Sequence, residues 1–232
     1  NRRIMAEGSP IVLTGPAAGH ARLKTADDPT GRLVQGTLNN CGGGMTPWGT
    51  TLHAEENFNV YFDGKVKDDE AAARLARYHI PAPRTYSWAQ YDSRFDLSVN
   101  PNEANRYGWI VELDPTDPKS IPRKRTALGR FKHEGAQCIQ NKDGRVVVYM
   151  GDDQRFDYVY RFVSEKAVNP RDRKANFDLL DHGTLSVARF NDDGSLDWLP
   201  LVFGQGQLTP ENGFASQADI LIDTRLAADA LG

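Results

Sequence analysis

At 232 residues with 39% hydrophobic content, the chain can bury a full core, and one large domain or two small ones are both admissible. Its 28 basic and 31 acidic residues are well interleaved and leave a net charge of −3, which argues against nucleic acid as a specific partner. No apolar run approaches the roughly 20 residues of a membrane-spanning helix, so no membrane is expected, and Asn1-Arg2-Arg3 does not lead into the apolar stretch of an export signal.

Residues 11–14 open with a β-type run. The segment from Asn39 to Asn59 then gathers a thiol (Cys41), adjacent carboxylates (Glu55, Glu56) and several amides and hydroxyls. Its triple glycine, Gly42-Gly43-Gly44, permits positive φ and leaves nothing to block an approaching ligand. Thr46-Pro47-Trp48-Gly49 punctuates before a strand-like run at 50–53. A ligand-binding turn feeding a strand is expected here. As strand neighbours, Glu55 and Glu56 point to opposite faces, so a shared metal cluster needs an irregular strand end or ligands arriving from two sides.

A further β-type run is predicted at 60–62. Residues 68–78 begin acidic and end basic, as the helix dipole favours, and predict a surface helix. It opens an insertion, 64–107, that continues through Pro81, Pro83 and Pro101. Such a segment packs on the side of a sheet more often than it covers a site. β-type runs return at 109–113, 126–131, 145–150, 158–163, 184–190 and 196–203, parted by turn clusters such as Asn141-Lys142-Asp143-Gly144 and Asn191-Asp192-Asp193-Gly194. Residues 216–231 place Ile220, Leu221, Leu226, Ala227 and Leu231 at helical spacing, for a short amphipathic helix open to a break. Many short strands with frequent turns predict an all-β sandwich, barrel or propeller, although no tandem repeat marks one.

Histidines at 20, 53, 79, 133 and 182 show no i, i+4 pair, and no Cys-x-x-Cys occurs, which disfavours a zinc site of finger or protease type. Carboxylates are the abundant ligands instead. Glu55, Glu56, Glu134, Asp152 and Asp153 close strand-like runs beside small residues, and oxygen-rich donors suit hard cations. The run from Asp152 to Asp157 lacks the glycine and terminal glutamate of an EF-hand loop. Cys41 in its glycine turn is accessible, whereas Cys138 falls in a core-type run, and nothing in the sequence joins the two. His133 is either a donor that orients Glu134 or a packing residue. Tyr158 and Tyr160 share one strand face, where a hydroxyl can reach a ligand, though two core aromatics are the commoner outcome. Asn39 and Asn40 can donate to phosphate oxygens or shape an Asx-turn.

Taken in order, the chain resembles the PhoX-type alkaline phosphatases, secreted calcium- and iron-dependent enzymes built on a β-propeller. The resemblance rests on Asn39-Asn40-Cys41, Thr46-Pro47-Trp48-Gly49-Thr50, Glu55-Glu56-Asn57-Phe58, the run from Gly108 to Pro115, the run from Ala127 to Ala136, Val147 to Asp153, Tyr158 to Val163, and Thr224-Arg225-Leu226-Ala227-Ala228-Asp229. It implies part of a six-bladed β-propeller with short helical insertions, forming one domain over 1–232. It also implies an internal piece of a longer protein, with an export signal before it and a Met-Asp-Arg-Pro-Glu motif after it.

The implied activity is hydrolysis of phosphomonoesters by a metal-bound oxygen nucleophile, with small phosphate esters as partners, Ca2+ and Fe3+ as cofactors, and a periplasmic or secreted location. The implied metal ligands are Cys41, Glu55, Glu56, Glu134, Asp152 and Asp153. Cys41, as an iron-binding thiolate, and Glu134 carry catalysis, while Asn40 and Tyr160 face substrate. Open propeller edges would favour association. Two alternatives stay open: a non-catalytic calcium-stabilised propeller module, and a calcium-dependent propeller hydrolase acting on sugars or lactones, for which Cys41 has no role.

Overall fold

Apolar side chains alternating with polar ones draw the β-type runs into two sheets in the computed structural model, which describes residues 3–232. Asn1 and Arg2, from the start that shows no export-signal pattern, lie outside the described residues. The first sheet contains Pro10–Thr14 (β1), Leu33–Gln35 (β2), Asn40–Met45 (β3), Thr51–Glu55 (β4), Ile110–Leu113 (β5) and Arg123–Arg125 (β6), in the order β2-β1-β6-β5-β4-β3. The second contains Gln137–Gln140 (β7), Arg145–Gly151 (β8), Val159–Ala167 (β9), Gly183–Phe190 (β10) and Leu196–Pro200 (β11), in the order β11-β10-β9-β8-β7.

Neighbouring strands are antiparallel except β1 and β6, which run parallel with Val12 beside Arg123. The predicted turn glycines Gly144 and Gly194 sit at φ 83° and 82°, backbone that glycine takes without steric penalty, and they close the β7–β8 and β10–β11 hairpins. The expected all-β class holds in this coarse form. Two runs differ: Phe58–Tyr61 forms a 3-10 turn that drives Phe58 into the core, and residues 126–128 form another after the short β6.

The inner strands of the first sheet are buried on both faces, while its edge strand β3 is exposed. Leu52, Ala54 and Ile110 pack toward Val148, Met150, Tyr160 and Phe162 of the second sheet. On the other side Ile11, Leu13, Val34 and Val111 lie with Tyr78, Phe95, Leu97 and Tyr107 of the predicted insertion, which packs against the sheet as expected. Full burial of side chains such as Phe58, Phe62 and Phe95 contributes roughly 1.5–3 kcal/mol each. The second sheet is covered on one face, leaving Ile139, Tyr149 and Val159 exposed on the other.

The predicted surface helix is Asp69–Ala76 (α1), capped by Asp68, whose carboxylate accepts from Ala71 N at 2.7 Å. The C-terminal amphipathic stretch breaks at Asp223 into Gln217–Ile222 (α2) and Thr224–Asp229 (α3). Asp223 accepts hydrogen bonds from Arg22 and Arg74 at the break.

Candidate functional site

One end of the first sheet meets the start of the second where backbone hydrogen bonds tie together segments remote in sequence. Gly42 N donates to Glu134 O (2.8 Å), Glu56 N to Asn39 O (3.1 Å), His133 N to Glu55 O (3.0 Å), Glu134 N to Gly151 O (3.2 Å) and Asp153 N to Lys132 O (2.9 Å). The backbones carrying Cys41, both glutamates of β4 and its exit, Glu134 and the aspartate pair therefore come together.

Strand alternation then sorts each acidic pair. Glu55 is fully buried, and its Oε1 accepts from Lys124 Nζ (2.8 Å), Thr37 Oγ1 (2.8 Å) and Leu38 N (3.2 Å) while Oε2 accepts from the Gly108 and Trp109 amides (3.0 and 3.1 Å). Asp152 likewise points inward and is held bidentately by Arg225, Nε at 2.7 Å and Nη2 at 2.6 Å. Glu56 and Asp153 turn the other way. The Glu56 carboxyl interacts with both the Asp153 carboxyl and the exposed Cys41 thiol, and Asn57 Nδ2 donates to it at 2.6 Å.

The electrostatics follow from this packing. Burial first, and then the facing Asp153 carboxyl, push Glu56 above the usual carboxylate range. Glu56 in turn raises the Cys41 thiol, with a smaller contribution from Glu134. Two carboxyls and a thiol crowded together, with Glu56 raised by Asp153 and Cys41 by Glu56, form a donor set that a cation relieves. The exposed Glu134 adds a fourth donor nearby. Sulfur and carboxylate oxygen together suit a transition metal, and carboxylate oxygen alone suits calcium. Among the described residues no three such side chains are already closed around an ion. The donors fit a metal centre in chemistry without forming a finished cage.

The glycine triplet differs from expectation. Gly42, Gly43 and Gly44 are extended within β3, none of them at positive φ. A Cβ on Gly42 would stand 2.5 Å from Glu134 O, on Gly43 1.9 Å from Leu52 O, and on Gly44 2.0 Å from Ala136 O. Glycine is required here because the backbones of β3, β4 and the 134–137 segment approach too closely for a side chain. The β3–β4 register shifts between Asn40 and Gly43, a bulge that holds Cys41.

The remaining candidates lie elsewhere. Asn40 exchanges hydrogen bonds with Thr37 Oγ1 (2.9 and 3.2 Å), which ties its amide to the preceding loop. Tyr160, expected to face substrate, is fully buried in the core, stacked on Phe131 at 4.2 Å, with no partner for its hydroxyl among the described residues. His133 is the packing residue: it is fully buried, stacked on Phe131 at 3.6 Å, and its Nε2 faces Gly129 O at 3.0 Å rather than Glu134. Burial holds it neutral, pushing its pKa down to about 3. The sequence assigned no role to Asn57, which braces Glu56, or to Arg225, which anchors the loop carrying Asp153, although both stand inside motifs quoted above.

A two-sheet β structure thus brings a thiol and carboxylates together at the sheet junction, donors of the kind that hold a metal. The family model for alkaline phosphatase PhoX matches residues 1–232, and the chain belongs to that family. Among solved structures it is similar to Pseudomonas fluorescens PhoX in complex with vanadate, a transition state analogue, at 49% identity and a TM-score of 0.95. That similarity covers 100% of this chain and 41% of the other, so the chain spans about two fifths of that relative's length. No curated protein matches.

Proposed function

We propose that the protein is a metal-dependent phosphatase that hydrolyses phosphomonoesters at the Cys41–Glu56–Glu134–Asp153 site. The convergence of these side chains at the sheet junction carries the reading, supported by family membership and by a relative whose structure is described with vanadate as a transition state analogue. Cys41, Glu56, Glu134 and Asp153 would hold the metal, with Fe3+ on the thiolate side and Ca2+ among the carboxylates. Bound cations would neutralise phosphate charge and lower the pKa of water.

The chain's own residues do the rest. Asn57 holds the Glu56 carboxylate in one orientation by its 2.6 Å hydrogen bond. The Arg225–Asp152 pair holds the loop on which Asp153 is presented. Glu55 and Asp152 support the site from the buried side. Glu134, exposed beside Cys41, is the carboxylate available to take a proton from an attacking water and return it to the leaving oxygen. We assign the two sheets to neighbouring blades of a propeller and the protein to the periplasm or the exterior, which cell fractionation checks.

Metal analysis and turnover of p-nitrophenyl phosphate on protein loaded with iron and calcium test the reading together. Removing metal, or introducing Cys41→Ser or Glu56→Gln, should lower turnover on the order of 10²-fold or more, as loss of a preorganised charge-stabilising group does. Undiminished turnover by metal-free protein would overturn it.

A further inference from the structure

Beside the carboxylate–thiol cluster lies a concavity of about 510 Å3 whose lining does not include Cys41. It shares a wall with the cluster: Asn57 follows Glu56, and Lys132 and Gln154 flank Asp153 through the Asp153 N to Lys132 O hydrogen bond. Its lining holds Lys132, Arg84, His79 and the amides of Asn57, Asn59 and Gln154, with no carboxylate, in a chain whose net charge is negative.

Lys132 is the unusual member. It is 6% exposed, and its ammonium has one hydrogen-bond partner, Gln154 Oε1 at 2.9 Å; Asp152, Asp153 and Asp157 favour its charge from nearby, but none is paired with it at ion-pair distance among the described residues. Other buried cations are matched: Lys124 by Glu55, Arg125 by Glu112 and Asp181, Arg225 by Asp152. Arg130 is satisfied by the carbonyls of Tyr107, Ile222 and Ala104. An ammonium carries three donors, and Gln154 takes one of them, so an anion in the concavity would complete the others. His79 Nδ1 also meets Gln154 Oε1, at 3.0 Å, so this amide oxygen is shared and the amide is fixed in place. Asn59, 4% exposed, donates to His79 O at 3.1 Å and keeps a buried Oδ1 with no partner, an acceptor in the lining of the same concavity. Two positive groups and an unfilled acceptor, with no carboxylate in the lining itself, are a recognition surface for an anionic group carrying hydroxyls.

We propose that this concavity binds the leaving-group side of the substrate and selects phosphomonoesters whose leaving group bears a second anionic group, phosphoryl or carboxylate, which Lys132 and Arg84 hold. The proposal rests on the phosphatase reading above and narrows its substrate class. Lys132 acts here as a positioning and specificity residue, since the charge it meets is not the group that reacts.

The test compares matched probes on the metal-loaded full-length protein: propyl phosphate against the bisphosphate of propane-1,3-diol and its longer pentane-1,5-diol homologue, and propylphosphonate against the corresponding bisphosphonates for binding by calorimetry. A charge-assisted contact should favour at least one doubly charged probe about tenfold or more, in kcat/KM and in affinity. Lys132→Met should reduce that ratio to near one, and Arg84→Ala, at an exposed position that does not endanger folding, should reduce it in part. Carboxylate-bearing analogues of the same length distinguish a phosphoryl from a carboxylate preference. Equal affinity for single and double phosphonates, or a ratio that survives both substitutions, overturns the subsite. Loss of turnover on every ester with the bisphosphonate preference intact would instead fail the phosphatase reading and leave the subsite standing.

Discussion

Adjacent glutamates with opposite duties give the sharpest contrast at the residue scale. Glu55 faces Lys124 and the Gly108 and Trp109 amides with no exposure, so Glu55→Gln leaves a buried cation without its partner. Breaking such a pair costs about 3–5 kcal/mol, and urea unfolding of the metal-free protein should show it. Glu56→Gln removes a carboxyl that the neighbouring Asp153 already disfavours in its charged form, so metal-free stability should stay within about 1 kcal/mol while metal binding falls. The two cysteines separate in the same way. Cys138 is buried and burial pushes its thiol up to about 12, whereas Cys41 is exposed. A thiol reagent should label Cys41 in the folded metal-free protein and reach Cys138 only on unfolding, and loading with metal should protect Cys41.

Alternation at Glu55-Glu56 is legible in the sequence because a strand sends neighbours to opposite faces. Which member turns inward is not, since that is decided by Lys124 and, for Asp152, by Arg225, each remote in the chain. Tyr158 and Tyr160 illustrate the same limit: they lie together, with ring centroids 6.1 Å apart, but only Tyr158 reaches a polar partner, Asp229 at 2.8 Å. Lys132 stands in a run of alternating apolar and cationic residues, Arg130-Phe131-Lys132-His133, where a second cation in a core-type segment was the available signal.

Among the elements, β3 carries the least side-chain bulk and the tightest approach. Gly44→Ala places a Cβ 2.0 Å from Ala136 O, and backbone on both sides must move to admit it. Overpacking of this kind costs on the order of 1–3 kcal/mol or more. The Gly44→Ala protein should unfold at lower urea, and the loosened contact between β3 and the segment leading into β7 should weaken metal retention by Cys41 and Glu134 together. In the sequence the triplet signals conformational freedom. Its actual requirement is set by an approach to residues some ninety positions later, which no local pattern records. The helices are the reverse case. Asp68 with its acidic first turn and Ser216 before α2 announce their caps locally, and both caps form.

Across the whole molecule, the two sheets are joined by a polar tie as well as by the core. Arg173, beyond β9, holds Asp114 at the end of β5 through bonds of 2.7 and 2.8 Å and also donates to Trp48 O at 2.7 Å. Hydrogen bonding from Arg173 holds the Asp114 carboxyl well below its usual range. A depressed carboxylate stabilises the fold above the unfolded pKa near 4, and the contribution is lost as pH falls toward the folded value. Because Arg173 is about a third exposed, at 37%, solvent screening reduces the effect. The stability gap between the protein and its Asp114→Asn variant should shrink by about 1 kcal/mol between pH 6 and pH 3 in urea titrations.

The parallel pairing of β1 with β6 reaches beyond energetics to the order of assembly. Pro10–Thr14 lies between β2 and Arg123–Arg125, so this strand completes its neighbours only after residue 125 has been made. Contacts of such sequence separation are slow to form, because loop-closure entropy is lost before the pairing is gained. The β7–β8–β9 hairpins, by contrast, pair with near neighbours as they emerge. The second sheet is therefore expected to form ahead of the β1–β6 pairing that completes the first. Pulsed hydrogen exchange should find amides of β8 and β9 protected before those of β1 and β6.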